Sequence, residues 1–204
     1  MPAHEKPFAP SAEENKAAIL AVIQPLLANA RNLLEIGSGT GQHAVCFAAA
    51  MPHLRWQTSD LAENLPGIRG WLEEAALPNL PQPIALDAGG DWPARRYDAV
   101  FSANTTHIMP EPRVPDMLSG VGRVLVSGGR FLLYGPFNEG GRYTGEGNQR
   151  FDAWLKQQDP RMGLRNLEDL EAIGRQHGLR LLESRLMPAN NRTLIWVREP
   201  REGD

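Results

Sequence analysis

The sequence predicts an α/β fold: a mostly parallel sheet with an antiparallel last strand and helices on both faces. Three observations carry this expectation. Short apolar runs alternate with helix-length amphipathic segments, the pattern of a sheet wound by right-handed crossovers. The first run, 32–36, stops at the glycine cluster Gly37-Ser38-Gly39-Thr40-Gly41, which opens directly into a helical segment. The last two runs, 179–186 and 192–198, are too close in sequence for a crossover helix between them. They must form a hairpin, which turns one of them against the rest.

Each element follows from local signals. Residues 1–10 hold Pro2, Pro7 and Pro10 and are expected to wrap the surface. Ser11 is placed to N-cap a helix through Ile19, Ile23 and Leu26, with Glu13 and Glu14 near its positive end and a kink at Pro25. After the first strand, a helix over 43–51 ends at Pro52. A second strand over 54–60 precedes a helix over 68–76, and strands follow at 83–87 and 97–104. A helix over 115–125 leads through Ser127-Gly128-Gly129 to a fifth strand at 130–134. The glycine-rich, polar stretch 135–150 reads as a mobile loop. A helix over 167–177, closed by Gly178, precedes the final hairpin.

Composition limits the function classes. At 204 residues, 42% hydrophobic and 22% charged, the chain fits one globular domain with a sizeable core. A net charge of −3 with scattered basic residues predicts no nucleic-acid partner. The single cysteine, Cys46, excludes an intramolecular disulfide framework and a cysteine-rich metal site, and reads as packing on a helix face. No metal is expected. The region around His4, Glu5 and Lys6 lacks the apolar run of a signal peptide, and no stretch is long enough to span a membrane. The expected location is cytoplasmic, with no membrane partner.

The sharpest chemical signal is Glu35-Ile36-Gly37-Ser38-Gly39-Thr40-Gly41 between the first strand and its helix. Glycines there let the backbone approach a ligand, and the helix offers free amides. A dinucleotide fingerprint would want its third glycine at Gln42, so a nicotinamide-dependent oxidoreductase is disfavoured. The E-x-G-x-G-x-G spacing is instead that of S-adenosylmethionine-dependent methyltransferases. Asp60, with Leu61 after it, closes the second strand where a ribose-binding acid belongs; its bland alternative is a helix N-cap. Asp87, with Ala88, ends the third strand and is placed to accept from an adenine amino group, or simply to make a turn. Three such features at successive strand ends reinforce one another.

Ligands of open α/β sheets sit beyond the carboxyl ends of the strands, which brings in Asn104-Thr105-Thr106-His107-Ile108-Met109-Pro110. The Asn-Pro-Pro-Tyr type of motif used on exocyclic amines of bases is missing. Cys46 stands apart from any Pro-Cys nucleophile. His107 is the one histidine at this edge, either a proton acceptor or a pocket-shaping side chain. The loop carrying Asn138, Tyr143, Asn148 and Asp152 is expected to close over the acceptor, or to be plain solvated surface. Asn190 and Asn191 reach the same face if the sixth strand runs parallel to the first; in a tight turn they also tolerate positive φ. His43 lines the cofactor site or packs beneath it.

Taken in order, Leu34 to Ala44, Trp56-Gln57-Thr58-Ser59-Asp60, Ala103 to Ile108, Tyr134-Gly135-Pro136-Phe137, Asn148 to Asp152 and Met187 to Asn191 resemble the methyltransferase-like 26 family (DUF938) over about 7–198. The resemblance implies a Rossmann-like seven-stranded methyltransferase fold as one domain over 1–204, with 1–30 as an N-terminal segment and helix covering the cofactor side. It implies that Glu35, Gly37, Ser38, Gly39, Gly41, Asp60, Leu61, Asp87, Ala88 and Asn104 bind S-adenosylmethionine, with S-adenosylhomocysteine as product. Asn15-Lys16 falls where such proteins have a covering segment. Glu111 stands after Pro110 where many relatives have Trp. The reaction expected is methyl transfer to an unidentified small molecule. A protein acceptor and a non-catalytic S-adenosylmethionine- or S-adenosylhomocysteine-binding sensor are the alternatives. Oligomeric state stays open.

Overall fold

The computed structural model describes residues 6–200; residues 1–5, including His4 and Glu5, and residues 201–204 lie outside the described part. Seven strands form one sheet: β1 (Asn32–Ile36), β2 (Arg55–Asp60), β3 (Ile84–Ala85), β4 (Tyr97–Ala103), β5 (Leu125–Pro136), β6 (Leu179–Met187) and β7 (Asn191–Arg198). Their order is β3-β2-β1-β4-β5-β7-β6. The pairings among β1 to β5 are parallel, whereas β7 runs antiparallel to both β5 and β6. The expected hairpin is therefore present, and its return strand is inserted beside β5.

Among the described residues there are six α-helices: α1 (Pro10–Leu26), α2 (Gln42–Ala50), α3 (Leu65–Ala75), α4 (Arg113–Val124), α5 (Glu146–Gln158) and α6 (Leu167–Gln176). Because strand side chains alternate between faces, neighbouring apolar residues divide between two cores. Leu34, Val100, Phe131, Leu133 and Trp196 pack with α4 and with Leu170 of α6. Leu33, Ala99, Phe101, Leu132 and Ile195 pack with Ile19 and Ile23 of α1 and with Phe47 of α2. Phe47 meets Trp56 and Phe101 at centroid separations of 5.6 and 5.7 Å, geometries suited to aromatic quadrupoles. Cys46 is only half-buried at the margin of this second core. No helix among the described residues is long and apolar enough to cross a membrane.

Several boundaries differ from the sequence expectation for local reasons. Ser11 is not a cap: α1 starts at Pro10, whose fixed φ and missing N–H suit the first helical turn, with Ala9 as N-cap. Pro25 lies one residue before the helix ends. The third strand shrinks to Ile84–Ala85, a two-residue edge. The expected turn at Gly128 is a bulge inside β5, where the pairing jumps from Tyr97↔Leu125 to Ala99↔Arg130. Most significantly, α5 begins inside the stretch expected to be loop and runs on to Gln158. Its buried positions are Asn148, Asp152 and Leu155. Two of those three are polar, so the buried face is not the apolar stripe by which a surface helix is read from sequence.

Candidate functional site

Parallel pairing aligns the carboxyl ends of β1, β2, β3 and β4, and a cavity of about 470 Å³ opens there. That volume lies in the range of small-molecule and cofactor sites. The glycine turn forms its floor. Gly37, Gly39 and Gly41 all have positive φ, at 68°, 58° and 92°. Gly37 is required twice over, since a Cβ there would meet the Thr105 methyl at 2.7 Å. A Cβ on Gly39 would meet no protein atom within 4 Å. Gly39 lines the cavity, so the space left open by the absent side chain is available to a ligand.

The turn is tied to β2 from below. Ser38 donates its backbone N–H to the Ser59 carbonyl at 3.0 Å and its hydroxyl to Glu35 at 2.8 Å. Trp56 Nε1 donates to the same Glu35 oxygen at 3.0 Å. Burial pushes the Glu35 carboxyl up to about 7 against those two donors, and the nearby Asp60 charge adds to the rise. Glu35 therefore sits under the turn and does not line the cavity; its resemblance-based role as a direct contact is corrected to one of support. Gly41, the N-cap of α2, likewise stays outside the lining.

Asp60 does line it. Its Oδ2 accepts from Gly39 N–H at 2.7 Å; its Oδ1 accepts from Leu61 N–H at 2.8 Å and Asn64 Nδ2 at 2.7 Å. An ionised carboxylate has about four acceptor sites. By that count one site is left over, on Oδ2. Ser38, Leu61, Asp87, Ala88 and Asn104 also line the cavity. Asp87 is exposed and holds its own turn through Gly89 N–H at 3.0 Å. Asn104 takes φ of 56° at the end of β4, a conformation asparagine tolerates, and donates its N–H to the Tyr134 carbonyl.

An N-terminal strap roofs the cavity. Pro7 accepts from Trp71 Nε1 at 2.8 Å and rests where Gly67 leaves room, and Ala9 N–H donates to Gln42 Oε1 at 2.7 Å. Ala9, Ser11 and Ala12 then face inward. His43 lines the cavity beneath them, 2.7 Å from Asn15 Oδ1 and stacked on Phe47. Burial lowers its pKa to about 4.

The remaining expectations separate from this site. His107 is buried, outside the lining, with Phe151 edge-on to its ring at 5.2 Å. Its Nδ1 is sealed from solvent without a hydrogen-bond partner among the described residues. Burial, with the positive charge of Arg165 adding, lowers its pKa to about 4. The structure thus corrects the expectation of a proton acceptor at the catalytic edge. Asn190 and Asn191 line a separate depression of about 260 Å³. Asn148 braces it by donating to the Asn190 carbonyl at 3.2 Å. Asn138 bridges to Asn166. None of these four asparagines lines the larger cavity, which corrects the expected acceptor pocket. Lining residues missed from sequence include Asn64, Thr105 and Arg113. Only Asn64 had a signal, its place one helical turn after Asp60.

Solved structures share the fold at low identity. A structure of the S-adenosylmethionine-dependent methyltransferase SibL has TM-score 0.79 and 22% identity, covering 93% of this chain and 56% of that one. The mitomycin 7-O-methyltransferase MmcR gives 0.82 and 17%, with 92% and 54% covered. Human N-acetylserotonin methyltransferase in complex with S-adenosylmethionine gives 0.77 and 16%, with 93% and 53% covered. The chain spans a little over half the length of these proteins. Its sheet, with one antiparallel strand beside β5, is the Rossmann-like methyltransferase fold. The family described as protein of unknown function (DUF938) matches residues 6–198, and the chain belongs to that family.

Proposed function

We propose that this protein binds S-adenosylmethionine in the 470 Å³ cavity and directs its methyl group to a small-molecule acceptor, releasing S-adenosylhomocysteine. One observation carries the reading. The open glycine turn at Gly39, the free acceptor site of Asp60 and the exposed carboxylate of Asp87 surround a single cavity at three successive strand ends. In this reading Asp60 accepts from a ribose hydroxyl through Oδ2. Engaging both hydroxyls would require Leu61 or Asn64 to release Oδ1. Asp87 accepts from the base, and Asn104 flanks the methionine portion. The cofactor supplies an electrophilic methyl group on a sulfonium.

The chain's own contribution is placement. His43 and His107, each held near pKa 4, are neutral at physiological pH and too weakly basic to be poised there as proton acceptors. Alignment of the acceptor with the methyl group carries the rate instead. The solved relatives include enzymes whose names specify small acceptors, mitomycin and N-acetylserotonin, which supports the same class here. Calorimetric titration with S-adenosylmethionine, S-adenosylhomocysteine and NAD tests the cavity. Binding of the two adenosyl compounds alone is expected. Binding of NAD alone, or of none, overturns the reading. Methyl release from labelled S-adenosylmethionine in a metabolite extract then separates an enzyme from a sensor.

A further inference from the structure

The geometry points to Arg113 as the residue that closes the nucleobase end of the cavity, laying its guanidinium against the π face of a bound purine. This rests on the cofactor reading above. Arg113, the first residue of α4, lines the cavity beside Leu86, Asp87 and Ala88, the residues leaving β3. Its side chain is about half exposed, so one side of the group remains free.

The seat for that side chain is Gly89. A Cβ at Gly89 would fall 1.8 Å from Nη1, 2.4 Å from Cζ and 3.1 Å from Nε of Arg113. The guanidinium therefore rests directly on the Gly89 backbone. Gly89 is not among the positive-φ glycines, so the backbone itself does not demand glycine there. What glycine supplies is room for Arg113. Two further contacts hold this pose. Nη1 pairs with Asp116 one turn along α4 at 3.1 Å, and the Arg113 N–H donates to the Pro110 carbonyl at 2.8 Å. Asp87, whose Oδ1 accepts from Gly89 N–H, belongs to the same turn. One short turn thus presents a carboxylate for the base edge and a seat for the cation that covers the base face. A planar delocalised cation stacks on aromatic faces in a way that a lysine ammonium does not.

The test compares wild type, Arg113→Ala, Arg113→Lys and Gly89→Ala by calorimetry with S-adenosylhomocysteine, adenosine and methionine. Arg113→Ala is expected to weaken S-adenosylhomocysteine and adenosine by the same factor, on the order of tenfold. Arg113→Lys should fall close to the alanine variant, because charge without the plane does not restore the stack. Gly89→Ala should reproduce the loss with Arg113 intact, since the new methyl displaces the guanidinium while the backbone conformation remains allowed. Unchanged adenosine affinity in Arg113→Ala overturns the inference. So does a loss confined to S-adenosylhomocysteine, which would place Arg113 on the amino-acid portion or the acceptor. If wild type binds neither adenosyl compound, the cofactor reading fails and this inference fails with it. If wild type binds and the variants match it, only the assignment of Arg113 fails.

Discussion

Two regions beyond the carboxyl edge of the sheet are held together by different means. Around β1, β2 and β4 stand ties that have a backbone group as at least one partner. Ser38 bonds to Ser59, Gly39 to Asp60, and Ser102 Oγ to the Ile36 carbonyl at 2.9 Å. Each tie joins neighbouring strand ends whose register parallel pairing has already set. Between Phe137 and Leu167 there is no sheet to set register. Bonds from the 163–165 stretch to the segment after β4 and to Asp152 do it instead. Arg165 donates to the Thr106 and Met109 carbonyls at 3.1 and 2.7 Å, Gly163 N–H to the His107 carbonyl, and Leu164 N–H to Asp152 at 2.7 Å. The first region is a cradle built on paired strand ends. The second is a cross-braced cover whose shape depends on a few polar residues.

The comparison breaks if changes in the cradle behave like changes in the cover. Asp60→Ala should have the largest effect. It removes the free acceptor site and the anchors of Gly39, Leu61 and Asn64. S-adenosylhomocysteine affinity should drop on the order of a thousandfold, while far-ultraviolet circular dichroism stays that of wild type. An affinity within threefold of wild type would remove Asp60 from the site.

Glu35→Gln sharpens the same point through pH. Burial holds Glu35 near 7 in the folded protein, above its ordinary 4.5. Between those values the native state keeps a proton that the unfolded chain has lost, so this group's stabilising contribution falls as pH rises and is gone above about 7. Glutamine has no such dependence and still offers an oxygen to Trp56 and Ser38. From pH 4.5 to 8 the variant should gain on wild type by about 3 kcal/mol in denaturant melts. Parallel curves across that range would show that Glu35 is not sealed beneath the glycine turn.

The same contrast decides what the sequence revealed. The cradle was legible because its information is contiguous: a strand, a glycine turn and a helix in one stretch, then Asp60 and Asp87 at later strand ends. The terminal hairpin was legible because 187–191 leave no room for a crossover. The cover was not legible. Helix α5 buries Asn148 and Asp152 alongside Leu155, so its inner face is mostly polar where the usual one is apolar. Its first turn also carries Gly147 behind Gly145, weak helix formers that read as loop. His107 looked catalytic because it follows β4, yet Phe151 of the unforeseen helix packs on it and shields it. Arg113 and Gly89 lie twenty-four positions apart (113 − 89), with nothing in either stretch to announce their contact.

Asp152→Ala tests the cover alone and carries the smallest of these effects. Asp152 is buried, and its Oδ1 accepts from Leu164 N–H at 2.7 Å. Its Oδ2 accepts from Tyr143 Oη and Lys156 Nζ, each at 2.7 Å. Truncation leaves the buried Leu164 N–H unpaired, whereas Tyr143 and the largely exposed Lys156 turn to water. The cost should be about 2 kcal/mol, mostly the price of that one stranded donor. Tyr143→Phe, which leaves Leu164 paired, should cost less than half as much. Amide exchange should quicken over 137–167 and remain slow in β1 and β2, and S-adenosylhomocysteine affinity should stay within twofold of wild type. If exchange instead quickens at Gly39 and Asp60 as well, the two regions open together. The cover would then be part of the cradle's own stability, and the side-chain braces from Arg165 and Asp152 would be holding the cofactor site as well as the loop above it.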